Sequence, residues 1–459
     1  MFNQSRLNCF LYPRVFPFFL LLVFFILNYI AFRDFLFTDH DVVIYSIIGK
    51  AIYNSFSMPY SYVFDHKPIM TYYVYGAIQY LLPLRGGYFI LSLFCILISF
   101  FFISKIKPNK RTMWKSFYIL IFMVSSLCFI GRFSGNTETV LMPMMAIFLY
   151  FACKESKFNS FFIGFFISLS VNINYLSFVI FFLPTLVFII FNKNGFFLSR
   201  LFLLTFGFVF GCILIFLPFF ISGESIVSYF KLQYFFLSVY HESEYKDVFL
   251  KLIIYFSIYS PILYSYIKVY GVKNYNSIIS LSLYFSAIAS AMISGRPYDH
   301  YFVFLIIPIS FMLIQIIDSE KLISALNILF LFLLSLLISI NYYHKHGENG
   351  SFKYNENIIN RINYLSTDDN TALNIKSSHV IFNYTKLRSI GKYVFPGHVS
   401  MFYNNEDDYY ITMINKKPKL IMTSVGLCNN INSICDAIRK SYYFDEKSSG
   451  NDFDLYIRK

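Results

Sequence analysis

Apolar residues recur in long runs from Phe16 to Ile340, and polar residues fall mainly in short stretches between them. A run of about 17–25 mostly apolar residues can cross a bilayer as a helix, because lipid offers no partner to backbone N–H and C=O groups. Segments near 16–33, 87–104, 114–131, 137–153, 159–173, 175–191, 201–221, 249–267, 277–294, 300–317 and 322–340 have that character. The pattern predicts an α-helical polytopic membrane protein of about eleven spans. Only the polar stretch NINY divides the 159–191 pair.

Two interruptions are long. The first, Arg33 to Gly86, carries two helical patterns. Thr38 suits an N-cap, with Asp41 three residues on, and Val42, Tyr45, Ile48 and Ile52 follow at helical spacing. A second helix is predicted from Pro68 to Leu82, since proline is tolerated at the first helical position. Both read as amphipathic helices on the membrane surface. The second interruption, Ser222 to Lys246, contains HESEY and reads as a mobile loop.

After Tyr342 the composition turns to Asn, Asp, Lys and Ser. NENIINRINYL and NINSICDAIRK read as helices, and TALNI, KLIMTS, SYYFDE and DFDLYIRK as strands. The chain therefore divides into a transmembrane module, 1–341, and a small C-terminal α/β domain, 342–459.

Composition sharpens this reading. The chain is 57% hydrophobic and 14% charged, against about 25% charged in a soluble domain. The net charge of +13 sits largely in short loops, which points to topology signals and lipid contacts rather than nucleic acid. Lys105, Lys107, Lys110, Arg111 and Lys115 follow the second span; Lys154 and Lys157, Lys193 and Arg200, Lys268 and Lys273, and Lys321 follow the fourth, sixth, eighth and tenth. The positive-inside rule then puts the N-terminus in the cytoplasm, the first run as a signal anchor, and the tail outside the bacterial cytoplasmic (inner) membrane. An extracytoplasmic tail would permit a disulfide between Cys428 and Cys435. The 59 Phe and 39 Tyr follow an AT-rich codon bias, so aromatic stripes receive no role.

The ionisable residues near the spans concentrate in three predicted outside loops. Asp39 and Asp41 precede the first surface helix, and Asp65, His66 and Lys67 lie between the two surface helices. Arg132, Asn136 and Glu138 occupy GRFSGNTETV; Arg296, Tyr298, Asp299, His300 and Tyr301 occupy SGRPYDHYF. Buried or membrane-depth charges are costly and mark functional sites. Each has a plainer reading: Asp41 in a capping box, Asp39 at a helix dipole, Lys67 reaching the interface, the arginines on lipid phosphate. Those readings leave the clustering in the same loops unexplained. Carboxylates and cations at one face fit a lipid-linked anion. The acidic residues could also bind a divalent metal, although no cysteine pair has zinc spacing.

The stretch TDHDVVIYSIIGKAIYNSFSMPYSYVFDHKPIMTYYVYG resembles the first outside loop of the GT-C glycosyltransferases. It is similar to the bacterial branch related to protein O-mannosyltransferases and to the lipid A aminoarabinose transferase. The matching positions are Asp41 with Tyr45, Ser57 to Tyr60, and Lys67 with Pro68. GNTETVLMP resembles the second acidic position, at Glu138, and SGRPYDHYFVFLIIP a later outside turn. The tail resembles the extracytoplasmic domain. The acidic doublet is spread here as Asp39-His40-Asp41, which leaves either aspartate as the catalytic one.

The resemblance implies a GT-C-like membrane glycosyltransferase. It would move a sugar, with inversion, from polyprenyl (undecaprenyl) phosphate to a glycan, lipid or protein of the cell envelope. Asp41 is then the base, with Asp39 and Glu138 as further catalytic candidates. Lys67, Arg296, Arg132, His300 and Tyr301 would hold the donor phosphate. Asp65, His66, Tyr45, Tyr60, Asn136 and Tyr298 would line the substrate. Lipopolysaccharide or O-antigen modification, such as serotype glucosylation, fits this class. The rivals are a lipid-linked saccharide flippase and a glycan polymerase or ligase. A transporter normally binds its substrate near the midplane between related halves, and neither midspan charge nor an internal repeat is visible.

Overall fold

The computed structural model describes residues 22, 24–30, 40–56, 58–59, 65–81, 87–106, 113–154, 156, 158–191, 197–239, 244–272, 274–317, 321–347, 356–429, 432–449 and 453–459. The chain forms two compact units. The first comprises Met1–Leu36, Arg85–Phe216 and Glu242–Asn349; the second gathers Phe37–Leu84, Leu217–His241 and Gly350–Lys459.

The first unit is helical, as its apolar runs demand. Among the described residues, five helical stretches are long and apolar enough to cross a membrane: Tyr88–Ile106, Phe197–Ser222, Tyr245–Tyr270, Tyr275–Ser294 and Asp299–Ile316. Shorter apolar helices cover Ser116–Gly131, Thr137–Ala152, Asn159–Val171, Leu176–Ile190 and Leu326–Asn341. Helix ends follow local chemistry. Asn274 caps Tyr275–Ser294 by accepting the Asn276 N–H at 3.0 Å, and Gly295 closes it with a left-handed φ of 64°. Between Gly131 and Thr137 the chain reverses through Arg132 (φ 48°), Phe133 (φ 52°) and Gly135 (φ 66°). Gly135 is required twice over there: its φ favours glycine, and a Cβ would come within 3.0 Å of Tyr88 Cβ.

Arg200, counted with a cytoplasmic loop by its charge, is instead buried, with its guanidinium 5.7 Å from the Phe188 ring centre. A helix that starts at Phe197 carries it inward, where the aromatic face takes the cation.

The second unit is α/β. Helices His40–Ser55 and Ile69–Leu81 pack as a hairpin. They meet at Gly49 and Gly76, where a Cβ on Gly49 would lie 2.4 Å from Gly76 N, so only glycine permits this approach. The tail supplies a five-stranded sheet of order β2-β1-β3-β5-β4, built from β1 (Thr371–Ile375), β2 (Arg388–Ser389), β3 (Leu420–Thr423), β4 (Tyr442–Phe444) and β5 (Asp454–Arg458). β1 runs parallel to β2 and β3; β5 runs antiparallel to β3 and β4. Leu373, Ile375, Ile421, Tyr410, Ile434 and Ile438 form its core. All four tail strands and both tail helices expected from the sequence are present, and Cys428 is bonded to Cys435.

Ser222 to Lys246 departs from the expectation of a mobile loop: Ile226–Val239 is a helix. Its face of Tyr229, Gln233 and Phe236 is buried. Spacing of four and three residues makes one helical stripe, which a loop reading based on flanking polar residues overlooks.

Candidate functional site

In the second unit the tripeptide Asp65-His66-Lys67 is held on a pinned loop. The Tyr72 hydroxyl shares its proton between Asp65 Oδ2 at 3.1 Å and the Lys67 carbonyl at 3.0 Å. Gln233 Nε2 donates to the same carbonyl at 3.4 Å. The Ile69 N–H donates to Tyr229 Oη at 3.1 Å, satisfying an orphan donor at the start of the second surface helix. Pro68 stands directly before that helix. Lys67 Nζ lies 5.9 Å from the Tyr45 ring centre, and Tyr45 meets Tyr72 and Tyr75 edge-on.

Asp41 is exposed in the first turn of helix His40–Ser55, one turn before buried Tyr45 and so on the same helical face. Tyr45 thus stands near the loop cation and one helical turn after the first-turn acid. Asp39, Ser57 and Tyr60 lie outside the described residues.

His398, on the helix Pro396–Phe402, joins this loop. His66 Nδ1 is 3.0 Å from Asp65 Oδ1, and His398 Nε2 is 3.9 Å from the same oxygen. Burial would raise the Asp65 carboxyl, but the charge and hydrogen bonds of His66, with the charge of His398, hold it well below the usual carboxylate range. Phe236 stacks on His66, ring centres 4.6 Å apart, and meets His398 edge-on. One ligand atom from each of Asp65, His66 and His398 lies within 4.8 Å of the others. Two imidazoles and one carboxylate suit a divalent ion of the zinc kind, with a fourth position for water or another ligand. His398 was not among the sequence candidates, because its partners are remote along the chain and it has no ligand-spaced neighbour.

The first unit holds the other candidates. Asp299 Oδ1 accepts from Lys251 Nζ at 2.6 Å and from the Tyr255 hydroxyl at 3.0 Å. Its second oxygen faces Arg132 Nη2 at 3.9 Å. The 131–136 turn and the 295–301 turn therefore meet, as their shared charge pattern suggested. Lys251 and Tyr255, one turn apart on their helix, were not among the sequence candidates. Tyr298, His300 and Tyr301 form a ring cluster, with His300 and Tyr301 4.6 Å apart. Arg296 is buried, and its N–H donates to Ser294 Oγ at 3.3 Å. Glu138 is 1% exposed and accepts from Asn174 Nδ2 at 2.8 Å. NINY, read as a mere separator, supplies that partner.

No protein-family profile and no curated protein sequence matches the chain. Solved structures do. ArnT from Cupriavidus metallidurans in the apo state superposes with a TM-score of 0.61 at 11% identity, covering 90% of this chain and 92% of that one. The same protein bound to undecaprenyl phosphate gives 0.61 at 10% identity, covering 95% and 96%. The chain has the GT-C fold. ArnT is the lipid A aminoarabinose transferase. The likeness runs over residues of both units.

Proposed function

We propose that this GT-C protein is a glycosyltransferase that moves a sugar from a polyprenyl-phosphate donor to a cell-envelope acceptor outside the cytoplasmic membrane. The observation that carries the reading is the Asp65-His66-Lys67 loop, whose backbone Tyr72 pins and whose Lys67 Nζ lies 5.9 Å from the Tyr45 ring centre, in a fold shared with a protein solved with undecaprenyl phosphate.

The chemistry needs these groups. An acceptor hydroxyl attacks the anomeric carbon and gives its proton to a carboxylate, the role of Asp41. The bond from that carbon to the phosphate oxygen breaks, leaving polyprenyl phosphate, and the configuration inverts. Charge grows on the departing phosphate, where a fixed cation acts most strongly. Lys67 is that cation. Its backbone carbonyl is fixed by Tyr72 and Gln233, which limits the reorganisation needed on reaction. In the first unit the same reading gives Arg132, Arg296, His300 and Tyr301 to phosphate recognition and Glu138 to the sugar. Lipopolysaccharide and O-antigen are the envelope acceptors it favours. The tail, with its disulfide, belongs to the oxidising side of the membrane.

The test uses the purified full-length protein with polyprenyl-phosphate sugars extracted from its source cells. Asp41→Asn lowers transfer by about 10²–10⁴-fold, the usual loss of a general base, and Lys67→Ala lowers it at unchanged expression. Wild-type rates in both variants refute the assignment. Lipid-linked sugar crossing vesicles without any new glycosidic product identifies a flippase instead.

A further inference from the structure

The turn 134–139 buries more hydrogen-bonding capacity than the protein satisfies. Ser134, Asn136, Glu138 and Thr139 are between 0% and 7% exposed. Ser134 Oγ, Asn136 Oδ1 and Thr139 Oγ1 have no hydrogen-bond partner among the described residues. Asn136 stands at the N-cap of helix Thr137–Ala152 yet makes no capping bond. Buried polar atoms are nearly always paired, so three together call for an explanation.

Glu138 is more unusual still. A fully buried carboxylate normally faces a cation; its partner here is a neutral amide. Asn174 Nδ2 donates to Glu138 Oε1 at 2.8 Å and to Thr137 Oγ1 at 3.1 Å. The orientation of that amide is fixed from the other end, because its Oδ1 accepts the Leu176 N–H at 3.0 Å. The NINY loop thus presents an oriented amide donor to Glu138. The backbone that carries these groups is itself held in a costly form, with Arg132 and Phe133 both left-handed. Such strain persists where the surroundings enforce it, commonly at functional sites.

We infer that Ser134, Asn136 and Glu138 form a hydroxyl-reading pocket for a sugar ring, with Asn174 as the positioning residue that aims the Glu138 carboxyl. The inference rests on the transferase reading and adds to it the residues that recognise the sugar. A sugar supplies several O–H donors at close spacing, which match the Asn136 and Glu138 acceptors. The Ser134 hydroxyl can donate or accept. The ring can belong to the lipid-linked donor or to the acceptor glycan; the chemistry is shared.

The experiment is native mass spectrometry of the full-length protein in lipid nanodiscs, loaded with undecaprenyl phosphate or with the total lipid extract of its source cells. Two variants separate recognition from structure. Asn136→Ala removes an oxygen that has no partner among the described residues, so its melting temperature stays within about 2 °C of wild type. The exchange Glu138→Gln with Asn174→Asp keeps a hydrogen bond of reversed polarity and still accepts the Leu176 N–H. In both, the ratio of sugar-bearing ligand to bare undecaprenyl phosphate falls about tenfold, the worth of one good hydrogen bond to a ligand. Sugar retained on a polyprenyl phosphate assigns the pocket to the donor, and sugar retained on another lipid or glycan assigns it to the acceptor.

If the wild type holds bare polyprenyl phosphate and no sugar-bearing species, the pocket is overturned while the transferase reading survives. If Asn136→Ala or the folded exchange variant keeps the wild-type ratio, the pocket is likewise overturned. If the wild type holds no polyprenyl phosphate at all, the transferase reading falls first.

Discussion

At the scale of single residues, the tail shows how a charged pair can be tested without knowing the substrate. Arg361 donates to Asp445 through Nε at 3.0 Å and Nη2 at 2.7 Å, and Ser448 Oγ donates to the same carboxylate. Burial would raise the Asp445 carboxyl, but the hydrogen bonds of Arg361 and Ser448 outweigh it and lower it. A carboxyl lowered in the folded state contributes stability that is complete above its unfolded value and is lost as pH falls through the folded one. The pair should therefore stabilise the tail at neutral pH and cease to do so in acid. Asp445→Asn should speed amide exchange in β5 by about tenfold at pH 7. The gap from wild type should close as the pH drops below the ordinary carboxylate range. An equal gap at every pH would show that packing, and not charge, is what the substitution removes. Neither partner was singled out from the sequence, since an Arg and an Asp far apart in a polar tail carry no periodic signal. The same holds for His398 and Lys251. Asp41, Lys67, Arg132, Glu138 and Arg296 stood out as candidates because each interrupts an otherwise apolar context.

Between elements, two contacts decide the geometry of the Lys67 loop. The surface helices meet at Gly49 and Gly76 with no room for a methyl group. Gly49→Ala must push the backbones apart and should cost at least about 1–3 kcal/mol, as overpacking does. A thermal scan of the protein in nanodiscs would measure it. An unchanged melting temperature would show that the hairpin does not pack this tightly. The second contact is the Asp65, His66 and His398 cluster, which joins the loop to the tail helix Pro396–Phe402. If a divalent ion occupies it, zinc at a hundredfold excess over its dissociation constant should stabilise the wild type by about 2.7 kcal/mol. His398→Ala should remove that response, and a chelator should reverse it in the wild type alone. Equal responses in both proteins would place the ion elsewhere. The elements themselves were largely readable. TALNI and KLIMTS are short runs of strand-forming residues bounded by turn formers, and the apolar runs that became helices needed no other signal. Helix Ile226–Val239 was missed because its buried stripe lies among exposed aromatics, among them Tyr234 at 78% and Phe230 at 51%. Periodicity is diluted when both faces are apolar.

For the whole molecule, orientation across the membrane is the property on which the outside location of the chemistry depends. Two features bear on it. Lysine and arginine follow alternate spans, from which the positive-inside rule expects the loops at Lys105–Lys115 and Lys154–Lys157 on the cytoplasmic side. The tail carries a disulfide between Cys428 and Cys435, and such bonds persist in oxidising compartments, not in the cytosol. Exposed Ser400 and exposed Ser156 provide the reporters. In a background with Cys153 replaced by Ser, Ser400→Cys should react with a membrane-impermeant maleimide in intact spheroplasts. Ser156→Cys should react only after lysis. The reverse pattern would put the tail in the cytoplasm, where the disulfide would be reduced and a polyprenyl-linked donor on the outer leaflet could not be reached. Removing the disulfide tests the same arrangement energetically. It closes a short loop, so Cys428→Ser with Cys435→Ser should destabilise the tail by about 2–3 kcal/mol on the chain-entropy account. A reductant added outside intact spheroplasts should reproduce that loss in wild type and have no further effect on the double variant. A tail facing the cytoplasm would show no such difference, because its thiols would already be reduced.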